Sequence, residues 1–412
     1  MSAKEKDQPA PLSVAKNTIW NAAGSVFYLG CQWLLIILVV TLSNSFEYSG
    51  ALAFAMSVGN MHASIALFKV RTYQVSDLAN EFTDSEYAGF RIITLLAGMS
   101  FSLAYLAALS PSNLSIYATL AYLIFKTDES FVEVIHGINQ KHGRMDYIGI
   151  SQIIRGLGTT AFFVVGLLVS NNLVIAILAM AAAGILNTLC YDLPHARRFG
   201  PVTPLIRRNE ASSLAKACLL PMVANFLATS IVSIARQRFG IVQGEELLGI
   251  YASIATPAVL IQAGATYLYS PLIGTLAESL QNGGAAAFKK SFFKVFGLLF
   301  VCMAIITFGF SIVGGPLLEL VYGNKIEPYL WIFPYVLGAT ASIAILLYVN
   351  DSLLIMRDGV TQIIINALAF AVIVLAADHL ITAFDMNGIN VAIIAACVPA
   401  TVAGAIRIVT SK

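Results

Sequence analysis

Between Ile124 and Gly137 the chain reads IFKTDESFVEVIHG, which puts Lys126, Asp128, Glu129 and Glu133 inside a run otherwise apolar enough to cross a membrane. Lys126, Glu129 and Glu133, spaced i, i+3 and i+7, fall on one helical face, while Asp128 points elsewhere. A charge at the centre of a bilayer costs about 2.5–3.5 kcal/mol on insertion scales, so each of these groups must face a partner, water or cargo. If the helix ends near His136, Glu129 lies roughly 11 Å deep at 1.5 Å per residue. Arg155 sits seven residues into the next apolar run, so an antiparallel hairpin predicts that Arg155 meets Glu129. Two chemistries fit. One is an ion-pair lattice that locks two helices together; the other is a set of carboxylates, Glu129 and Glu133, that take up a proton or cation during a transport cycle. A metal site of Glu129, Glu133 and His136 is the weakest reading, because no second cluster of His or carboxylates completes the ligand shell.

These charges stand out because the chain around them is so apolar. Of 412 residues, 58% are hydrophobic and 11% charged, where a soluble domain carries about 25% charged residues. The chain reads as an integral, all-α, polytopic membrane protein. A formal net charge of +2 gives no ground for a nucleic-acid partner. Cys31, Cys190, Cys218, Cys302 and Cys397 lie in or beside apolar runs without a CxxC pair, as small core or lipid-facing residues do. The first apolar run is too long for a cleaved signal, so the first helix is expected to stay.

A bilayer core about 30 Å thick needs about 20 apolar residues in a helix, and twelve segments qualify. They are roughly 18–42, 49–68, 92–109, 114–135, 148–169, 173–189, 214–235, 247–268, 292–313, 329–349, 363–380 and 389–406. Pro221 and Pro257 are expected to break the seventh and eighth. With the N-terminus inside, all Lys and Arg except Arg236, Arg238 and Lys325 collect on one side, including Lys4, Lys6 and Lys412; both termini are therefore read as cytoplasmic and the helix count as even. Outer loops are short, the longest near Gly315 to Pro328. The stretch Tyr191 to Ser213, with Arg197, Arg198, Arg207 and Arg208, divides six spans from six: an N-terminal bundle over 1–190, a cytoplasmic linker over 191–213 and a C-terminal bundle over 214–412. Such a division is what parallel transporter repeats produce.

Beyond the charged helix, KVRTYQVSDLANEFTDSEYAGFR (Lys69 to Arg91) is a cytoplasmic connection. Arg71 sits at the membrane end of the second span, where its guanidinium fork can grip a phosphate. Arg236 and Arg238 stand at the outer end of the seventh span, and interfacial snorkelling explains them equally well. Asn21, Gln32, Asn60, Gln152, Asn225 and Gln262 are explained by hydrogen bonds between helices. No Walker-type phosphate loop occurs, so ATP hydrolysis by this chain is not expected, nor is a cofactor.

The segments KNTIWNAAGS (Lys16 to Ser25), FKVRTYQVSD (Phe68 to Asp77), EYAGFR (Glu86 to Arg91), KTDESFVEVIHGINQKHGRMDYIGISQIIRG (Lys126 to Gly156) and LGIYASIATPAVLIQAGATYLYSPL (Leu248 to Leu272) together resemble the bacterial polysaccharide repeat-unit flippases of the multidrug/oligosaccharidyl-lipid/polysaccharide exporter superfamily. The resemblance implies two six-helix bundles arranged as a V, with a cationic cavity for the pyrophosphate and sugars of a polyprenyl-linked oligosaccharide, in the inner membrane. Membrane lipid, a polysaccharide polymerase and glycosyltransferases are the partners it implies. Arg71, Gln74, Asp77, Arg91, Lys126, Glu129, Gln140, Arg144 and Arg155 match its segments. On this reading Arg71, Gln74, Arg91, Lys126 and Arg155 bind substrate and Asp77 and Glu129 couple an ion; the placement of the charges in the spans adds Arg236 and Arg238 to the first set and Glu133 to the second. Two rivals stand beside it: a cation-coupled multidrug or small-molecule exporter of the same superfamily, which should show an acid-lined pocket, and a membrane-embedded glycosyltransferase, for which the loops are too short.

Overall fold

The computed structural model describes residues 9–77 and 79–411, and in these the chain is helical with no strand; Lys4, Lys6 and Lys412 lie outside them. Six long helices come first: α1 Val14–Ser43, α2 Phe46–Leu67, α4 Asp84–Leu109, α5 Asn113–Lys141, α6 Met145–Ser170 and α7 Leu173–Asn187, with the short α3 Val70–Ser76 between α2 and α4. A single π turn, Thr188–Asp192, carries α7 into the four-residue α8, Leu193–Ala196. The second series is α9 Arg208–Gln243, α10 Glu245–Tyr322, α11 Phe333–Ile355, α12 Gly359–Phe384 and α13 Gly388–Thr410. α10 is two helices joined where Gly284 takes φ 64°, so all twelve expected spans are present as helix. The chain is a multi-pass membrane protein. Leu320, Val169 and Leu375, each 83% exposed, are apolar side chains that only lipid would leave uncovered at no cost.

Local signals set the helix ends. Ser13 caps α1, its hydroxyl accepting from the Lys16 amide at 3.4 Å, and Asn44 closes it in the left-handed conformation. Thr83 and Glu86 form a reciprocal capping box at the start of α4, with the Thr83 amide 2.7 Å from Glu86 Oε2 and the Glu86 amide 3.3 Å from Thr83 Oγ1. Two expectations fail here. α9 runs through Pro221 and α10 through Pro257 without interruption; a proline in a spanning helix frees one carbonyl, which neighbouring helices can satisfy. Near 315–328, α10 continues to Tyr322 and a 3-10 turn begins at Glu327, so most of the expected outer loop is helix.

The chain forms two compact units, residues 9–44 with Val58–Met222, and Ser45–Ser57 with residues 223–411. α2 and α9 therefore each contribute one part to each unit. In the first unit, α6 packs on α1 and α7, and α5 packs chiefly on α7. The stretch after α8 folds onto this unit: the Leu205 amide donates to the Ser85 carbonyl at 3.1 Å, and Val202 and Leu214 join Val70, Tyr87 and Val134 in one buried cluster. In the second unit, α11 packs on α10 and α13, and α12 on α13.

Small residues let the backbones touch. Gly24 of α1 meets Gly149 of α6 so closely that a Cβ on Gly24 would lie 2.5 Å from the Gly149 Cα. In the second unit, a Cβ on Gly50 would fall 1.8 Å from the Glu245 carbonyl oxygen, and one on Gly249 1.8 Å from that of Phe46. Contacts of this kind drive helix association where lipid tails are as apolar as the side chains. Gly50→Val or Gly249→Val is therefore expected to cost about 1–3 kcal/mol, the range for overpacking, and to lower the midpoint of thermal unfolding in lipid nanodiscs. An unchanged midpoint would show that the two helices do not cross at these glycines.

Candidate functional site: a two-layer ion network in the first unit

Two successive carboxylates on α5 face different ways because neighbours on a helix are turned by about 100°. Glu129 lies on the same stripe as Lys126 and Glu133, and this stripe is partly open, with side chains 15–28% exposed. Asp128 turns into the bundle and is 9% exposed. Two layers of ion pairs result.

The open layer neutralises its own cations. Lys126 Nζ lies 2.5 Å from Glu129 Oε2, and the Tyr28 hydroxyl of α1 donates to Glu129 Oε1 at 2.5 Å. Arg71, on α3, donates through Nη1 to Glu133 Oε2 at 2.8 Å and through Nε and Nη2 to Gln140 Oε1 at 3.1 and 2.9 Å. Beside it, Gln74 donates to the Val134 carbonyl at 3.3 Å.

The buried layer centres on Arg155, 3% exposed. Its Nη1 donates to Asp128 Oδ2 at 2.7 Å and its Nη2 to Thr188 Oγ1 at 2.7 Å, with Asp192 Oδ2 3.6 Å away. Thr188 in turn donates to Asp128 Oδ1 at 2.7 Å, and Asn187 donates to Asp192 Oδ2 at 3.0 Å. The π turn presents both Thr188 and Asp192 to the arginine. Gly184 leaves room for the clasp, since a Cβ there would sit 3.2 Å from both Arg155 Nη1 and Asp128 Oδ2. The expected Arg155–Glu129 pair is thus replaced by Arg155–Asp128. α5 packs on α7 more than on its hairpin neighbour α6, so Arg155 reaches α5 on the side that carries Asp128.

The remaining candidates lie apart from this network. Arg91, fully buried in α4, donates to the Ala66 carbonyl, while its Nε and Nη2 have no hydrogen-bond partner. Arg238 pairs with Asp378 through two hydrogen bonds, one of 2.5 Å from Nε to Oδ1. Arg236 keeps its Nε buried without a partner. Asp77 follows α3 and clasps the connection to α4: it accepts from the Glu81 and Phe82 amides at 2.9 and 3.2 Å and from the Tyr87 hydroxyl at 2.9 Å, with Lys141 Nζ at 3.8 Å. Burial opposes its ionisation, but these donors more than offset it and hold its pKa below the ordinary carboxylate value.

The sequence reading missed Tyr28, Thr188 and Asp192. Asp192 alone left a signal, as a single acid closing the apolar run LNTLCYD. His62 was also missed; its ring nitrogens lie 3.4 Å from the hydroxyls of Ser102 and Thr127. Among the described residues no group of three or more His, Cys, Asp or Glu is arranged to hold a metal ion.

No protein-family model matches the chain. No curated protein matches it either. Solved structures do. The chain is similar to an inward-facing multidrug resistance MATE family transporter of the MOP superfamily, at a TM-score of 0.74 and 10% identity over 92% of this chain and 96% of that one. An outward-facing multidrug resistance MATE family transporter matches at 0.62 and 11% over 100% of both chains. A MOP superfamily transporter from Pyrococcus furiosus, described as having a binding pocket of reverse polarity that suggests a different function, matches at 0.53 and 13% over 95% of this chain and 92% of that one. At these identities the likeness establishes the fold.

One outcome tests the network and another the Asp77 clasp. Asp128→Asn leaves Arg155 short of its closest carboxylate and should destabilise the folded protein by about 3–5 kcal/mol, the cost of breaking a buried pair, read as denaturant unfolding in mixed micelles; a loss below ~1 kcal/mol would mean that the pair is hydrated. Because the Asp77 carboxyl ionises more readily when folded, its contribution is full above the ordinary carboxylate range and is lost as pH falls through the depressed value. Limited proteolysis should therefore cut residues 77–83 in Asp77→Asn at neutral pH, and in the parent protein only in acid.

Proposed function

We propose that the chain is a cation-coupled exporter of small molecules that works by alternating access, in the cytoplasmic membrane with both termini inside. The observation that carries this reading is the charge balance of the open stripe on α5. Lys126 and Arg71, the cations expected to grip an anionic head group, are each held by a carboxylate at 2.5 and 2.8 Å. Guanidinium and ammonium groups tied to carboxylates in this way bind a pyrophosphate only after breaking those pairs. Glu129 and Glu133, 22% and 28% exposed, are intramembrane acids reachable from outside the protein, as carriers of a coupling cation must be. The shared fold with transporters seen facing inward and facing outward supports alternating access. The fold does not set the cargo, which must be read from the chain's own side chains. The orientation rests on the side-to-side asymmetry of Lys and Arg.

A second reading, flipping of polyprenyl-pyrophosphate-linked oligosaccharide for surface polysaccharide, is favoured by a separate observation. Arg91 is fully buried with two unpartnered guanidinium nitrogens, Arg236 keeps its Nε buried without a partner, and among the described residues neither has a carboxylate within ion-pair distance. On that reading the lipid-linked oligosaccharide is the cargo, and a polymerase and glycosyltransferases act before and after it. Neither reading assigns the chain a covalent reaction.

Reconstitution in liposomes separates the two. With an imposed proton or sodium gradient, efflux of a fluorescent organic cation should be gradient-driven, and Glu129→Gln or Glu133→Gln should slow it about tenfold, the effect of ~1.4 kcal/mol. Gradient-independent efflux would contradict the coupled reading. Translocation of a polyprenyl-pyrophosphate-linked sugar that is lost in Arg91→Gln and Arg236→Gln would put the second reading in its place.

A further inference from the structure

Within the two-layer network the carboxylates outnumber the permanent cations that touch them. Asp128, Glu129, Glu133 and Asp192 are paired with Arg71, Lys126 and Arg155 at 2.5–3.6 Å, four acids against three permanent bases. One negative charge is therefore left over in a place where an uncompensated ion is costly. His136, 4% exposed, is the titratable group that touches two of these acids. Its Nδ1 lies 3.6 Å from Glu133 Oε1 on the same helix, and its Nε2 3.6 Å from Asp192 Oδ1 on the π turn.

The ring's position has a chemical consequence. A neutral imidazole carries one N–H and one lone pair, so with an acid on each side it must aim its lone pair at carboxylate oxygen. Only the imidazolium offers an N–H to both. Neither ring nitrogen has a neighbour at hydrogen-bonding distance, and neither does Asp192 Oδ1, so the three atoms form an unsatisfied gap that a proton and a small approach would close. Among the described residues the permanent cations around the gap are Arg71, Arg155, Arg91 and Lys126, the last tied to Glu129. Arg71 holds the other oxygen of Glu133, and Arg155 lies 3.6 Å from the other oxygen of Asp192. Arg91 of α4 acts on Glu133 only at longer range, its guanidinium being bonded to the Ala66 carbonyl. Asn187 and Thr188 are neutral.

We infer that His136 is the seat of an exchangeable proton in the first unit, and that its charge holds the π turn Thr188–Asp192 against α5. Uptake of one proton from the aqueous phase takes the cluster from one surplus negative charge to balance, with Nδ1–H directed at Glu133 and Nε2–H at Asp192. Release sets a bare lone pair against a carboxylate, and Asp192 is pushed away. The π turn is a one-residue irregularity that can relax toward ordinary helix. Thr188 moves with it, and with Thr188 goes one side of the Arg155–Asp128 clasp. A single protonation is thus joined to the packing of α7 on α5. The consequence for transport rests on the cation-coupled reading above, whereas the charge on the ring does not.

Nitrogen NMR of the full chain in lipid bilayers, with labelled histidine and the His136 signal assigned by its loss in His136→Gln, tests the charge directly. At neutral pH the parent ring should be imidazolium. In Asp192→Asn, which leaves three acids against three bases, it should become neutral at the same pH. A neutral ring in the parent, a measurement that needs no variant to fold, would overturn the inference, as would an imidazolium that persists in Asp192→Asn. In liposomes, His136→Gln should export at a rate that no longer changes with pH, and a retained pH dependence would remove His136 from the coupling. A parent protein with a cationic ring that moves no organic cation under any gradient would instead overturn the exporter reading and leave the protonation site standing.

Discussion

A charge inside a membrane protein must meet its opposite, and the first unit is organised around that constraint. Arg155 carries a guanidinium that is 3% exposed, and an isolated ion at that depth would cost several kcal/mol after relaxation. It is held in place by three groups from two elements: Asp128 on α5, and Thr188 and Asp192 at the two ends of the π turn. Thr188 also donates to Asp128, and Asn187 donates to one oxygen of Asp192, so the arginine fixes the spacing of α5, α6 and the end of α7 together. The absence of a Cβ at Gly184 and the irregular turn at Thr188–Asp192 both follow from the room and the angle this arrangement needs. Buried ionic groups of this kind contribute little net stability compared with an apolar core, but they penalise any packing in which the partners separate.

The open layer obeys the same rule with looser packing. Lys126, Glu129, Arg71 and Glu133 are paired, yet their side chains are 15–28% exposed, which lets water or a cation compete for the carboxylates. A buried layer that resists change and an open layer that can exchange partners sit one residue apart on the same helix. His136 spans the two, and this gives the exchange of a proton a route to the packing of the bundle.

Much of the architecture was legible from the sequence because it depends on lengths and composition alone. Twelve apolar runs of about the right length predicted twelve helices, including α5 despite its charges. Depth along the helix was legible too: seven residues in from each end of a hairpin brought Arg155 to the level of Asp128 and Glu129. What failed was the azimuth. Whether Arg155 meets residue 128 or residue 129 depends on which neighbour α5 packs against, and α7, later in the chain, takes that place. The π turn left no local pattern, so Asp192 looked like the start of a loop. Pro221 and Pro257 misled because the rule that proline ends a helix comes from proteins in water, whereas a spanning helix keeps going when its neighbours satisfy the freed carbonyl. Charge counting from sequence also overstated the positive character of the site, since the acids that neutralise Arg71 and Arg155 come from other helices.

The central claim is that these charges are tolerated because they are paired with one another within the bundle. A double-mutant cycle on Asp128 and Arg155, read as thermal unfolding in lipid bilayers with Asp128→Asn, Arg155→Gln and the combined variant, measures that pairing directly. The account predicts strong coupling, with the combined variant no less stable than the worse of the two single ones, because removing both ions leaves neither stranded. Penalties that simply add would mean that each group is stabilised by something other than its partner, and the account would be wrong.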